Sequence, residues 1–506
     1  MFVRIKSAAF IGLHCYSVDV EVNISRGLPC QSIVGLADTS IKESRDRVKS
    51  ALINCGYDFP QGYCIVNLAP ADTKKEGSIY DLAIALGILA ASNQIPLNVF
   101  DDIAAIGELS LDGNLRPVNG VLPMCLELKS RGIKIVLVPH ENAFEAAVVE
   151  GIKVLPIQNL KQAVNSLLGK EKIEPYVVDI KDIFISDLKS ELDFCDVKGQ
   201  YLAKRALEIA AAGGHNVLMV GPPGSGKTML ARRLPSIMPD LTLEEALEIT
   251  KIYSIAGLLD RKTSLIKTRP FRSPHHTTSD IGMIGGGRIP KPGEITLSHH
   301  GLLFLDEFPE FDKNVIESLR QPLEDGKVTI SRATTALTYP AQFMLIAAMN
   351  PCPCGNYGDP NSVCLCPPWK VQKYLSKISG PILDRIDIHI SIPRLKKEEL
   401  INSTNTESSY QIRQRVVAAR NIQRKRFEKL NILCNSKISP KYVRKFCVMT
   451  TEAENLLKDA IYKLRLSARS FDKILKVART IADLENCELI KPNHIAESLQ
   501  YRQERG

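Results

Sequence analysis

Gly221, Pro222, Pro223, Gly224, Ser225, Gly226, Lys227 and Thr228 form a G-x-x-x-x-G-K-[ST] string that follows a β-type run at 216–220 and opens a helix-type segment. No other feature constrains this chain as tightly. Backbone N–H groups converge on an anion there only if glycines free the loop and a helix presents its N-terminus to it. The string therefore calls for strand, loop and helix in that order at the edge of a parallel sheet. In such a loop Lys227 directs a point charge at the β- and γ-phosphates of a nucleoside triphosphate, and Thr228 is a magnesium ligand. A chance Gly-rich turn would lack the flanking pattern.

Three downstream strings extend the site. Residues 301–307 (GLLFLDE) are an apolar run ending in two carboxylates, as expected of a buried strand that delivers them to the catalytic edge of a sheet. Asp306 is then a magnesium ligand and Glu307 the group that polarises the attacking water. The run 343–349 (FMLIAAM) ends in Asn350, an uncharged amide suited to orienting that water or sensing the γ-phosphate, although Asn is also a common turn former. Arg385, in the string 383–387 (LDRID), is placed to complete a neighbouring subunit's site as an arginine finger, the alternative being a surface ion pair with Asp384 or Asp387. Arg469 opens the last apolar-periodic helix and is a candidate γ-phosphate contact from a lid.

At 506 residues the chain exceeds one ordinary core, and at ~150 residues per domain it accommodates about three. Its 44% hydrophobic and 24% charged residues describe a globular chain. The basic start (Arg4, Lys6) is followed by an apolar stretch broken by His14, Asp19 and Glu21, and no window holds the ~18 uninterrupted apolar residues of a spanning helix, so the expectation is a cytoplasmic protein without a membrane partner. A formal charge of +9 is compatible with a polyanion partner and does not identify one. Residues 1–168 mix β-type runs (17–22, 63–68, 135–139) with helix-type ones such as 80–92 and read as one α/β or α+β domain. A linker at 169–193, an ATPase core at 194–393 with a Cys-rich loop at 351–368, and a helical domain at 394–506 follow.

Several strings carry a resemblance to a known family: 271–276 (FRSPHH), 285–287 (GGG), 292–295 (PGEI), 319–326 (LRQPLEDG) and 350–355 (NPCPCG). Together they resemble the ComM/YifB family of magnesium-chelatase-like AAA+ proteins. The resemblance implies an AAA+ P-loop core with a parallel sheet, a C-terminal helical lid, and ATP with Mg2+ as cofactors. It also implies a homohexamer in which Arg385 serves the next subunit and Arg469 is the lid arginine, with the segments 275–288 and 327–339 facing a central pore. The activity it implies is ATP-dependent branch migration of DNA, branched or single-stranded, in homologous recombination and natural transformation, alongside recombination proteins. A chelatase-like or protein-remodelling ATPase is the alternative. Residues 107–113 (GELSLDG) and 75–78 (KEGS) resemble the Lon protease catalytic domain, of ribosomal S5-like α+β fold. The lysine and serine of a Ser-Lys dyad align with Leu122 and Ile79, and Ser78 is one residue out of step, so no peptidase chemistry is expected.

Three further clusters have more than one reading. Cys352, Cys354, Cys364 and Cys366, among thirteen cysteines, are able to close a tetrahedral zinc site, or are plain reduced thiols. His275 and His276, adjacent and without a nearby Cys or Asp, suit polar contacts at a pore or interface better than metal binding. Arg413, Arg415, Arg420, Arg424, Lys425, Arg426 and Lys429 lie on DNA phosphates or on a solvated lid face.

Overall fold

The computed structural model describes residues 1–28, 30–36, 38–73, 75, 77–179, 192–260, 263–287, 290–331, 336–359, 362–395, 407–430, 432–464 and 467–502. These divide into two compact units: Met1–Asp187 with Leu243–Lys267, and Leu188–Thr242 with Thr268–Gly506. The remaining residues assigned from sequence to the ATPase core fall in one unit with the lid, while Leu243–Lys267, inside that assigned core, group with the N-terminal residues.

The first unit is built on a seven-stranded mixed sheet ordered Cys30–Val34, Tyr63–Ala69, His14–Ser25, Phe2–Ile11, Ile103–Ala105, Ile135–Pro139, Lys153–Ile157. Phe2–Ile11 and His14–Ser25 form a long antiparallel hairpin, Phe2 opposite Asn23 and Ile11 opposite His14. The helix Asp81–Ala91 is buried over its whole length, which its near-uniform apolar sequence DLAIALGILAA allows. Gly87 lets it seat on the sheet, since a Cβ there would stand 2.6 Å from Val22 Cγ2. The one carboxylate of that helix, Asp81, is neutralised by Arg47 at 3.0 Å.

The second unit centres on a five-stranded, all-parallel sheet ordered Phe271–Arg272, Leu302–Leu305, Met344–Met349, Val217–Val220, Ile388–Ser391. Alternate side chains bury on opposite faces, as a sheet covered on both sides requires. Leu302, Phe304, Ile346 and Met219 pack with the helix Tyr201–Gly213. Leu303, Leu305, Leu345 and Leu218 pack with Phe308, Val315 and Ile382 on the other face. The helices Ser409–Phe427 and Ala468–Leu484 join the first of these cores through Ile412, Val416, Val477 and Ile481. With Pro440–Phe446, Thr451–Leu464 and Pro492–Gln500 they build a further apolar cluster around Leu457, Ile474 and Ile495. The fold is thus the mixed α/β class expected, with a parallel sheet core and C-terminal helices. Among the described residues no helix is long and apolar enough to cross a membrane.

Candidate nucleotide site

The glycine-rich loop leaves the C-terminal end of Val217–Val220, flanked by Met344–Met349 and Ile388–Ser391, and runs into the helix Lys227–Arg233. Gly224 and Gly226 have φ of +77° and +91°, and nothing lies within 4 Å of where their Cβ atoms would be, so the loop bends left-handed and leaves its backbone open. Gly221 serves closeness instead: a Cβ there would stand 2.2 Å from Ile392 O. Lys227 Nζ donates to Gly221 O (2.7 Å), Pro222 O (2.9 Å) and Asn350 Oδ1 (3.2 Å). Burial lowers its pKa and the charge of Asp306 opposes the shift. The Ser225 hydroxyl is buried in the same loop without a hydrogen-bond partner among the described residues. An open glycine backbone, a buried ammonium and an unpartnered hydroxyl make a donor set that fits a polyphosphate.

Thr228 Oγ1 donates to Asp306 Oδ2 at 2.6 Å, so the two expected magnesium ligands meet. Asp306 Oδ1 also accepts the Glu307 N–H at 2.9 Å. Glu307 itself has φ of +52°, a left-handed conformation that a non-glycine residue rarely holds. It turns its carboxylate out of the strand end to 3.2 Å from His276 Nδ1. His276 was expected in polar contacts at a pore or interface; its contact is with the proposed water-activating group of its own chain. His275 bonds Thr277 Oγ1 at 2.9 Å and stacks on His276.

Arg385 lies at the other end of the sheet. Asn216, just before the strand that feeds the loop, donates to Arg385 O (3.0 Å) and accepts from Leu345 N (2.9 Å), tying the arginine segment to the N-terminal edge. Four strand residues separate that edge from the loop, roughly 13 Å at about 3.3 Å each. Arg385 pairs with Glu324 at 2.6 Å, and Asp387 is held by Lys473 (2.9 Å) and His215 (3.2 Å). Arg469 Nη2 comes within 3.9 Å of the same Glu324 oxygen and is well exposed. Glu324, unassigned in sequence although it sits in the LRQPLEDG string, thus collects both arginines.

The four loop cysteines converge. Cys352 Sγ lies 3.3 Å from Cys354 Sγ and 3.7 Å from Cys364 Sγ, Cys354 and Cys364 are 3.6 Å apart, and with Cys366 all four ligand atoms fall within 4.8 Å of one another. Thiolates on one zinc ion sit about 3.8 Å apart, from a Zn–S bond of about 2.3 Å in a tetrahedron, so the set fits that ion.

The basic helix is largely committed to the chain itself. Arg415 pairs with Glu208 (2.5 Å) and Glu407 (2.8 Å), Arg413 with Asp240, and Arg426 with Asp483 (2.5 Å), while Arg420 donates to Ala211 O (2.9 Å). Arg424, Lys425 and Lys429 are exposed. In the first unit Ile79 and Leu122 are buried apolar residues at the aligned dyad positions, and Ser78 donates to Glu108. Within the segment 327–339 expected to face a pore, Lys327–Ser331 pairs antiparallel with Ala336–Pro340. Residues 332–335, and Arg288 of the other segment, lie outside the described residues.

Comparison with known proteins gives the family. The family model for magnesium chelatase, subunit ChlI, matches residues 193–400; that for subunit ChlI of Mg-chelatase matches 20–142; and the ChlI C-terminal model matches 406–502. The chain is 44% identical to YifB of Escherichia coli over 98% of its length and 96% of the relative's. It is 43% identical to the competence protein ComM of Haemophilus influenzae over the same shares. Lon protease 2 of Bacillus subtilis is 28% identical over 171 residues, 32% of this chain and 30% of the protease. On full-length identity, matching family models and a parallel P-loop core, the chain belongs to the ComM/YifB family of magnesium-chelatase-like AAA+ ATPases.

Proposed function

We propose that this ATPase is a DNA motor, a ring that promotes branch migration of recombination intermediates, including those formed when incoming DNA is integrated. The observation that carries the reading is the 43% full-length identity to a protein named for competence. The net charge of +9 and the basic residues left exposed on Ser409–Phe427 are compatible with a polyanionic track.

Within each site Lys227, Ser225 and the loop N–H groups bind the phosphates, and Thr228 and Asp306 hold magnesium. Asn350 positions Lys227, with which it already shares a hydrogen bond. Glu307 orients water, which requires it to leave His276. Bound MgATP supplies the phosphoanhydride whose cleavage drives the motor. Arg385 serves the neighbouring subunit's site, a role supported by its position at the sheet edge away from its own loop. The homohexamer that this role requires is part of the proposal. Zinc in the four-cysteine loop is a further part, supported by the sulfur spacing.

The deciding experiment compares ATP hydrolysis with branched DNA, single-stranded DNA, unfolded protein and porphyrin. Stimulation by DNA together with ATP-dependent movement of a branch point is the expected result. Stimulation by porphyrin or unfolded protein alone would replace this reading with the chelatase-like or remodelling one.

A further inference from the structure

The cysteine cluster is built onto the phosphate loop. Gly355 N donates to Cys352 O at 2.9 Å, closing a tight turn with Gly355 at φ of +82°. On the outside of that turn a Cβ at Gly355 would stand 2.4 Å from Pro223 Cδ and 3.1 Å from Pro223 Cγ. The backbone of the cysteine turn therefore lies directly against the third residue of the Gly-rich loop. Two residues before Cys352, Asn350 Oδ1 accepts from Lys227 Nζ at 3.2 Å. The first cysteine is thus linked to the phosphate loop on both sides, through Asn350 to its lysine and through Gly355 to its proline.

The opposite flank of the phosphate loop is fixed by other means. Gln200 Nε2 donates to Ser225 O (3.3 Å) and Pro393 O (2.8 Å), and Gly221 abuts Ile392 O. The cysteine side depends on a segment with little apolar burial among the described residues: Val363 and Leu365 are 79% and 85% exposed, and Tyr357 is exposed as well. A loop of this kind gains little from burial and needs a crosslink to hold one shape.

We infer that zinc held by Cys352, Cys354, Cys364 and Cys366 braces the phosphate loop, so that nucleotide affinity depends on the metal. The inference rests on the zinc reading proposed above and adds to it the coupling through Gly355 to Pro223 and through Asn350 to Lys227. Zinc removal releases the 352–355 turn, Pro223 loses its backing, and Asn350 no longer holds Lys227 in place.

The test uses the full chain, with zinc measured by elemental analysis and affinity measured with a non-hydrolysable ATP analogue at fixed magnesium. One zinc per chain is expected. Stripping it should weaken the analogue about tenfold, restored on adding zinc, a coupling of the size contacting residues show. Gly355→Ala should keep its zinc and lose affinity comparably. Adding Pro223→Ala, which removes the ring atoms that the new methyl group meets, should recover part of that loss. Absence of zinc overturns both the zinc reading and the brace. One zinc per chain with affinity indifferent to Gly355→Ala overturns the brace and leaves zinc as a local staple. Should the stripped protein unfold, the zinc-loaded Gly355→Ala protein and its Pro223→Ala partner decide alone.

Discussion

At the residue scale the site separates binding from chemistry. Lys227 reaches both loop carbonyls and Asn350, so Lys227→Ala should abolish binding of an ATP analogue, measured at equilibrium. Glu307 is held by His276 through its carboxylate, so Glu307→Gln should bind the analogue normally while phosphate release falls by about 100-fold or more, the usual scale for a general base. Equal loss of binding in both variants would contradict the division. Lys227, Thr228, Asp306, Glu307 and Asn350 were legible in the sequence because each stands at a strand or loop end, where motif spacing alone fixes its place. His276 beside Glu307 and Glu324 beside Arg385 were not legible: both are contacts between segments whose proximity comes from the folded chain rather than from local pattern.

At the element scale the β-type runs and the long apolar helix were readable: 63–68 and 135–139 correspond to Tyr63–Ala69 and Ile135–Pro139, and 80–92 to Asp81–Ala91. The basic helix was not, because composition cannot tell a cation facing solvent from one facing a carboxylate on another helix. Arg426 shows this, meeting the fully buried Asp483 at 2.5 Å, an acid that also accepts from Arg479 (3.1 Å) and Asn435 (2.8 Å). Asp483→Ala strands two cations and should cost about 3–5 kcal/mol in denaturant unfolding, as breaking a buried pair does. On the strand Ile388–Ser391, burial, aided by the charges of Arg502 and Lys473, pushes His389 down to about 4. Below the unfolded-state value of about 6.5 the unfolded chain takes up a proton that the folded one refuses. Stability from this group is therefore complete above that pH and is lost as pH falls from about 6.5 toward 4, by roughly 1–3 kcal/mol. His389→Leu should flatten that part of the unfolding-versus-pH profile.

At the scale of the whole molecule, Arg385 and the phosphate loop occupy opposite ends of one parallel sheet. Arg385→Ala and Lys227→Ala proteins should each be inactive alone. Mixed, they should regain part of the ATPase rate, because an intact loop on one chain meets an intact arginine on the next. Mixed rings without recovery would show that Arg385 does not act across subunits. The separation of the two ends has a further consequence for symmetry. Under the proposed role of Arg385, head-to-tail repetition sets the arginine of each copy at the loop of the next, and such an array leaves one unmatched loop and one unmatched arginine at its ends until it closes. An open chain of n subunits then holds one fewer complete site than it has loops, and ring closure alone brings the last one into use.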